Sequence, residues 1–188
     1  MRRIYTFSLE EDRKLALRLQ AAALLMIIPF SCLFYAPVSG EFSSPAAVFL
    51  TPVGLPFRIL DWAVVAAAVI CILLLHELIH GALFKVFAPK HSRIAFGFSS
   101  GFAYAAAPEV LYPKIKYLVI GLGPFAVLTL AALLLIPLLP KQAASPLFTA
   151  AVWNGAGSAG DLYISYTVLK LPPGTQIKDR GTEFSAYQ

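Results

Sequence analysis

Long apolar runs broken by short polar connections dominate the chain. Four of them, at about residues 17 to 36, 60 to 87, 115 to 139 and 146 to 170, reach the roughly 20 residues of helix that a hydrocarbon core requires. The pattern predicts an all-α polytopic membrane protein with four transmembrane helices, residues 1–188 forming one domain and 171–188 a partly ordered cytoplasmic tail. The first run is longer than the ~7–15 apolar residues of a secretory signal, so it is read as a retained helix.

The connections carry their own patterns. Before the first run, Ser8-Leu9-Glu10-Glu11 fits a capping box and predicts a short cytoplasmic helix leading into the membrane. Residues 37 to 58 are rich in Pro, Gly and Ser around the apolar run Ala46-Ala47-Val48-Phe49-Leu50, which is expected at the interface or dipping into the protein. Between the second and third runs, Ile94, Phe96 and Phe98 alternate with other residues, Ser99-Ser100-Gly101 offers a turn, and Phe102 and Tyr104 resume the alternation. A small β-hairpin on the cytoplasmic side fits there. It is either a surface connector or an edge for strand addition by an extended peptide.

Composition agrees with a membrane solvent: 59% of the 188 residues are hydrophobic and only 13% are charged, with a mean hydropathy of +0.74. The net charge of +5 does not point to nucleic acid, because the basic residues flank apolar runs instead of forming one patch. Arg2, Arg3, Arg13, Lys14 and Arg18 precede the first run. Lys85, Lys90, Arg93, Lys114 and Lys116 surround the second connection, and Lys170, Lys178 and Arg180 follow the last run. Only Arg58 and Lys141 fall on the opposite side, so the positive-inside rule predicts cytoplasmic termini. Cys32 and Cys71 lie in apolar runs and read as small core residues.

The second run contains the chemistry. His76-Glu77-Leu78-Ile79-His80 interrupts Ile70-Cys71-Ile72-Leu73-Leu74-Leu75, and on a helix residues four apart project from one face, as two ligands of one metal require. Placing ionisable groups in mid-membrane costs ~2.5–3.5 kcal/mol each, which argues for a purpose. Glu77 is the candidate catalytic base. It falls beside the metal without ligating it, and there a carboxylate can take a proton from water whose pKa the metal lowers. The plainer reading is polar glue between helices, which does not need the HExxH spacing.

Catalytic zinc has three protein ligands and an open position, so one more ligand is needed, and His91, Glu109 and Asp161 are the candidates. At ~1.5 Å per residue, His80 and His76 lie roughly 8 and 14 Å below the border marked by Lys85, and Asp161 lies roughly 14 Å below Lys170, in a run parallel to theirs. Depth therefore favours Asp161. Asn154, Ser158 and Asp161 are spaced i, i+4, i+7 on one face. Asn154 suits a hydrogen bond to a substrate backbone or an oxyanion. Ser158 suits orienting the Asp161 carboxylate or close helix packing. In the third run, Gly121-Leu122-Gly123-Pro124 either kinks the helix or lets it pass close to the metal and bares a backbone carbonyl.

These residues together resemble a family. The HExxH of the second run, Gly121-Leu122-Gly123-Pro124 of the third and Asn154-Gly155-Ala156-Gly157-Ser158-Ala159-Gly160-Asp161 of the last look like the zincin peptidase family of small bacterial membrane proteins, itself similar to site-2 intramembrane proteases. The resemblance covers roughly residues 60 to 180. It implies zinc on His76, His80 and Asp161, Glu77 as the base, and hydrolysis of a membrane protein or peptide substrate at the bilayer. One departure is that Gly160 precedes Asp161, whereas site-2 proteases carry the glycine after their ligand aspartate. The competing expectation is a metal-binding membrane regulator or assembly factor that keeps the fold without turnover. A metal-ion transporter would need ligands along the outer halves of the runs, which are almost bare of them.

Overall fold

A computed structural model describes residues 1–50, 59–99 and 101–188. Its elements in chain order are β1 (Arg3–Ser8), α1 (Arg13–Tyr35), α2 (Pro45–Leu50), α3 (Ile59–Phe87), β2 (Ala95–Ser99), β3 (Phe102–Ala106), β4 (Leu111–Pro113), α4 (Lys114–Leu135), α5 (Lys141–Gly157), α6 (Ala159–Leu169), β5 (Gln176–Asp179) and β6 (Glu183–Tyr187). Arg58, and Ser100 of the expected hairpin turn, lie outside the described residues.

Among the described residues, three helical segments are long and apolar enough to cross a membrane: Arg13–Val38, Ile59–Phe87 and Lys114–Leu138. Their apolar windows are only 17%, 17% and 22% buried. Leu24, Leu25 and Ile28 on α1, Ile70 and Leu74 on α3, and Leu130 and Leu134 on α4 all face outwards. Apolar surface of that extent suits a hydrocarbon solvent and marks a membrane protein.

The four-span, all-α expectation is overturned. The fourth apolar run is two helices, α5 and α6, of roughly 25 and 16 Å at 1.5 Å per residue. They part at Ser158, whose N–H and hydroxyl both donate to the carbonyl of Asn154, at 3.1 and 2.8 Å. Hydropathy sums the apolar residues here but does not register a hydroxyl that competes for the backbone in a glycine-rich stretch. In addition, six strands among the described residues form two antiparallel sheets, one of order β1-β6-β5-β4 and the other β2-β3.

The chain divides into two compact units. The first comprises residues 1–21, 77–124 and 160–188. Its four-stranded sheet replaces two expectations. Arg3-Ile4-Tyr5-Thr6-Phe7-Ser8, with its β-branched and aromatic residues, is strand β1 and not the approach to a capped helix. Ser8 Oγ does accept the Glu11 N–H at 3.3 Å, but the cap of α1 is Asp12, whose Oδ1 accepts the Leu15 N–H at 2.9 Å. The tail after Pro173 is the hairpin β5–β6, turned at Gly181 with φ +94° and paired to β1 and β4. Phe7, Phe84, Tyr112, Tyr117, Ile177 and Phe184 form the centre of its core. The β2–β3 hairpin occupies the position that the alternation of Phe96, Phe98, Phe102 and Tyr104 predicts.

The second unit comprises residues 22–76 and 125–159. Its core is Phe34, Val48, Ile136, Phe148 and Val152, with α5 largely buried inside it. The apolar run at 46–50 turns inward here, as α2 puts a fully buried Val48 against it.

Candidate metal centre

α3 has no proline and no glycine before Gly81, so an unbroken ladder carries the polar motif deep into an apolar helix. His76 and His80 are 7% and 8% exposed, and Glu77 between them is half-buried.

Each imidazole is held through Nδ1. His76 Nδ1 lies 2.9 Å from Asn154 Oδ1 on α5, and His80 Nδ1 lies 2.9 Å from the carbonyl oxygen of Ile120 on α4. A carbonyl only accepts, so His80 Nδ1 carries a proton and donates it, which leaves Nε2 as the nitrogen a metal would take. His80 Nε2 is 3.5 Å from Asp161 Oδ1, in the first turn of α6. His76, His80 and Asp161 offer ligand atoms that all lie within 4.8 Å of one another. Two imidazoles fixed from behind and one carboxylate make a donor set that fits zinc, with one position open.

The free carbonyl of Ile120 follows from the sequence. In an α-helix the carbonyl of residue 120 would accept the N–H of residue 124, but Pro124 has none. The neighbouring glycines let α4 come close to its partners. A Cβ on Gly121 would stand 3.0 Å from Ser165 Oγ on α6, and one on Gly123 would clash with Leu83 Cδ1 on α3.

Three contacts from the sheet region tie down the helices that carry these groups. The Tyr112 hydroxyl, just before α4, donates to the carbonyl of Phe84 on α3 at 3.0 Å. Lys114 Nζ donates to the carbonyls of Leu169 and Leu171 at 2.8 and 2.6 Å, closing the C-terminal end of α6, which has no basic residue in its own last turn. The Tyr117 hydroxyl on α4 donates to Asp179 Oδ2 at 2.5 Å, and the Gly181 N–H donates to Asp179 Oδ1 at 2.7 Å. Burial pushes the Asp179 carboxyl up to about 6, against the pull of these two hydrogen bonds. Burial, and then the nearby Asp179, push the Tyr112 phenol up to about 12.

Among the residues singled out from sequence, His91 and Glu109 are exposed in connections and stand outside the cluster. Ser158 is fully buried with its hydroxyl on the Asn154 carbonyl, so it steadies the residue that holds His76. Sequence reasoning missed Ile120, Tyr112, Lys114, Tyr117 and Asp179. Only Ile120 left a signal, the proline four residues later.

A family model described as putative zincin peptidase matches residues 69–175, more than half of the chain. The chain belongs to that family. Zinc is the metal that a zincin peptidase uses, and His76, His80 and Asp161 are the residues here that could hold it. The matched range of this zincin peptidase contains both histidines, Ile120, Pro124, Asn154 and Asp161. No curated protein and no solved structure matches the chain.

Proposed function

We propose that this zincin peptidase is an intramembrane zinc metalloprotease of the site-2 type, hydrolysing peptide bonds of membrane-embedded or membrane-associated substrates. The observation that carries the reading is the pair of buried imidazoles on an apolar helix, each held by Nδ1 and gathered with Asp161. A cell-membrane location with cytoplasmic termini completes the proposal. Supporting a common side for both ends, Arg2 and Gln188 exchange backbone hydrogen bonds of 2.9 and 3.0 Å.

His76, His80 and Asp161 would hold zinc, which when bound supplies a Lewis acid that acidifies water and polarises a carbonyl. Glu77, one residue after His76, accepts the proton of the attacking water and passes it to the leaving amine. Asn154 and the Ile120 carbonyl keep the imidazoles in the ligating tautomer. Asn154 is 1% exposed, and its Nδ2 has no hydrogen-bond partner among the described residues, so it is available to a substrate carbonyl. The two-stranded β2–β3 sheet has outer edges on which an extended substrate segment can add.

The test is Glu77→Gln in protein reconstituted with a membrane peptide substrate. Zinc content should stay at one per chain while cleavage falls by at least ~100-fold, the scale of a lost general base. Full cleavage by the variant would sink the mechanism. An intact cellular phenotype with a zinc-loaded but inert variant would favour the non-catalytic regulator.

A further inference from the structure

Asp179 and Tyr117 are 62 residues apart, 7% and 4% exposed, and packed in an aromatic core with Phe84, Tyr112 and Phe184. An ionisable pair in such a place costs free energy that apolar residues of the same size would not, so its value is directional. A hydrogen bond fixes rotation and height where an apolar contact tolerates sliding. Tyr117 is one helical turn, about 4.5 Å along the axis, before Ile120, whose carbonyl meets His80 Nδ1 at 2.9 Å.

The geometry points to Asp179 as a positioning residue for the ligand His80, acting through Tyr117 and the Ile120 carbonyl. The Asp179 carboxylate accepts from the Tyr117 hydroxyl and the Gly181 N–H. It sets the azimuth of α4, and with it the aim of the Ile120 carbonyl that His80 Nδ1 meets. Gly181, whose N–H orients the other Asp179 oxygen, needs its φ of +94° to do so. The hairpin β5–β6 therefore belongs to the outer coordination of the centre, although it lies far from it in sequence. This rests on the metal-centre reading above.

The test uses the full chain in detergent, with zinc affinity measured by chelator competition and the visible spectrum of the cobalt(II)-substituted protein as a second readout. Tyr117→Phe and Asp179→Ala should weaken zinc by about ten- to a hundredfold, the range for lost outer partners, and shift the cobalt bands. Asp179→Asn, which can still bond Tyr117 and Gly181, should stay within about threefold of wild type. Thr175→Val removes a bond to the Pro172 carbonyl in the same tail, and should lower the melting temperature while leaving affinity and spectrum unchanged. Wild-type affinity and spectrum in Tyr117→Phe, with only a lower melting temperature, would overturn the inference. Should Asp179→Ala fail to fold, Tyr117→Phe decides alone. A wild type that takes up no zinc overturns the metal centre and this inference with it.

Discussion

Pro124 leaves the carbonyl of Ile120 without its helical donor, and His80 Nδ1 takes that carbonyl at 2.9 Å. A residue usually read as a helix defect therefore acts as a ligand-orienting device. Pro124→Ala would restore an N–H that competes for the carbonyl. We expect the variant to bind zinc about tenfold more weakly, the low end of the range for lost outer partners, because the carbonyl is shared and not removed. A proline in a helix interior costs about 3 kcal/mol relative to alanine, so thermal stability should rise or hold. Opposite signs in chelator competition and thermal melting would establish the trade, and unchanged zinc affinity would exclude it.

The ligand set makes a separable prediction. His76→Ala, His80→Ala and Asp161→Ala should each lose zinc, whereas His91→Ala and Glu109→Ala should retain about one per chain. Elemental analysis of detergent-purified protein decides it. Zinc retained in Asp161→Ala but lost in Glu109→Ala would move the third ligand.

Gly155 adjoins Asn154, and a Cβ there would lie 2.6 to 2.8 Å from the Phe30 ring. A ring against a packed helix cannot swing aside cheaply. Overpacking costs about 1–3 kcal/mol, against roughly 1 kcal/mol gained from alanine's helix propensity. Gly155→Ala should therefore melt at a lower temperature than wild type, and a higher melting temperature would show that Phe30 has room to move.

Asp179 predicts a pH dependence of stability. Its carboxyl holds a proton more tightly folded than unfolded, because the folded value is pushed up to about 6 from 3.8. Between those values the folded state binds more protons, so this contribution is complete below pH 4 or so and is lost as pH rises through about 6. Melting temperature followed from pH 4 to 8 should show this decline, and Asp179→Asn should flatten it. An Asp179→Asn profile identical to wild type would assign the dependence to other groups.

What could be read from sequence differs by physical range. The HExxH spacing and the apolar run around it are local, and both survive as helix α3. The GLGP motif already offered a bared carbonyl, since proline's missing donor is a local fact, but not which side chain would take it. Depth counting put Asp161 level with His76, while its carboxylate comes to His80 Nε2. That estimate assumed one straight helix, and Ser158 breaks it. The sheet was illegible for another reason: strands of three to six residues carry a weak pattern, and the partner of β1 stands at the other end of the sequence. Tyr117 and Asp179 were invisible as a pair because that sheet alone brings them together.

The pairing of Ser8 with Glu183 closes a loop of about 175 residues. For a free chain, closing such a loop costs roughly 4–5 kcal/mol of entropy before any contact repays it. Helices already inserted in a bilayer would hold the ends near one another and remove most of that cost. The expected order of assembly is therefore insertion first and closure of the β1–β6 ladder second. With Asp179 positioning His80 as inferred above, zinc affinity is expected to mature only after the β1–β6 ladder has closed.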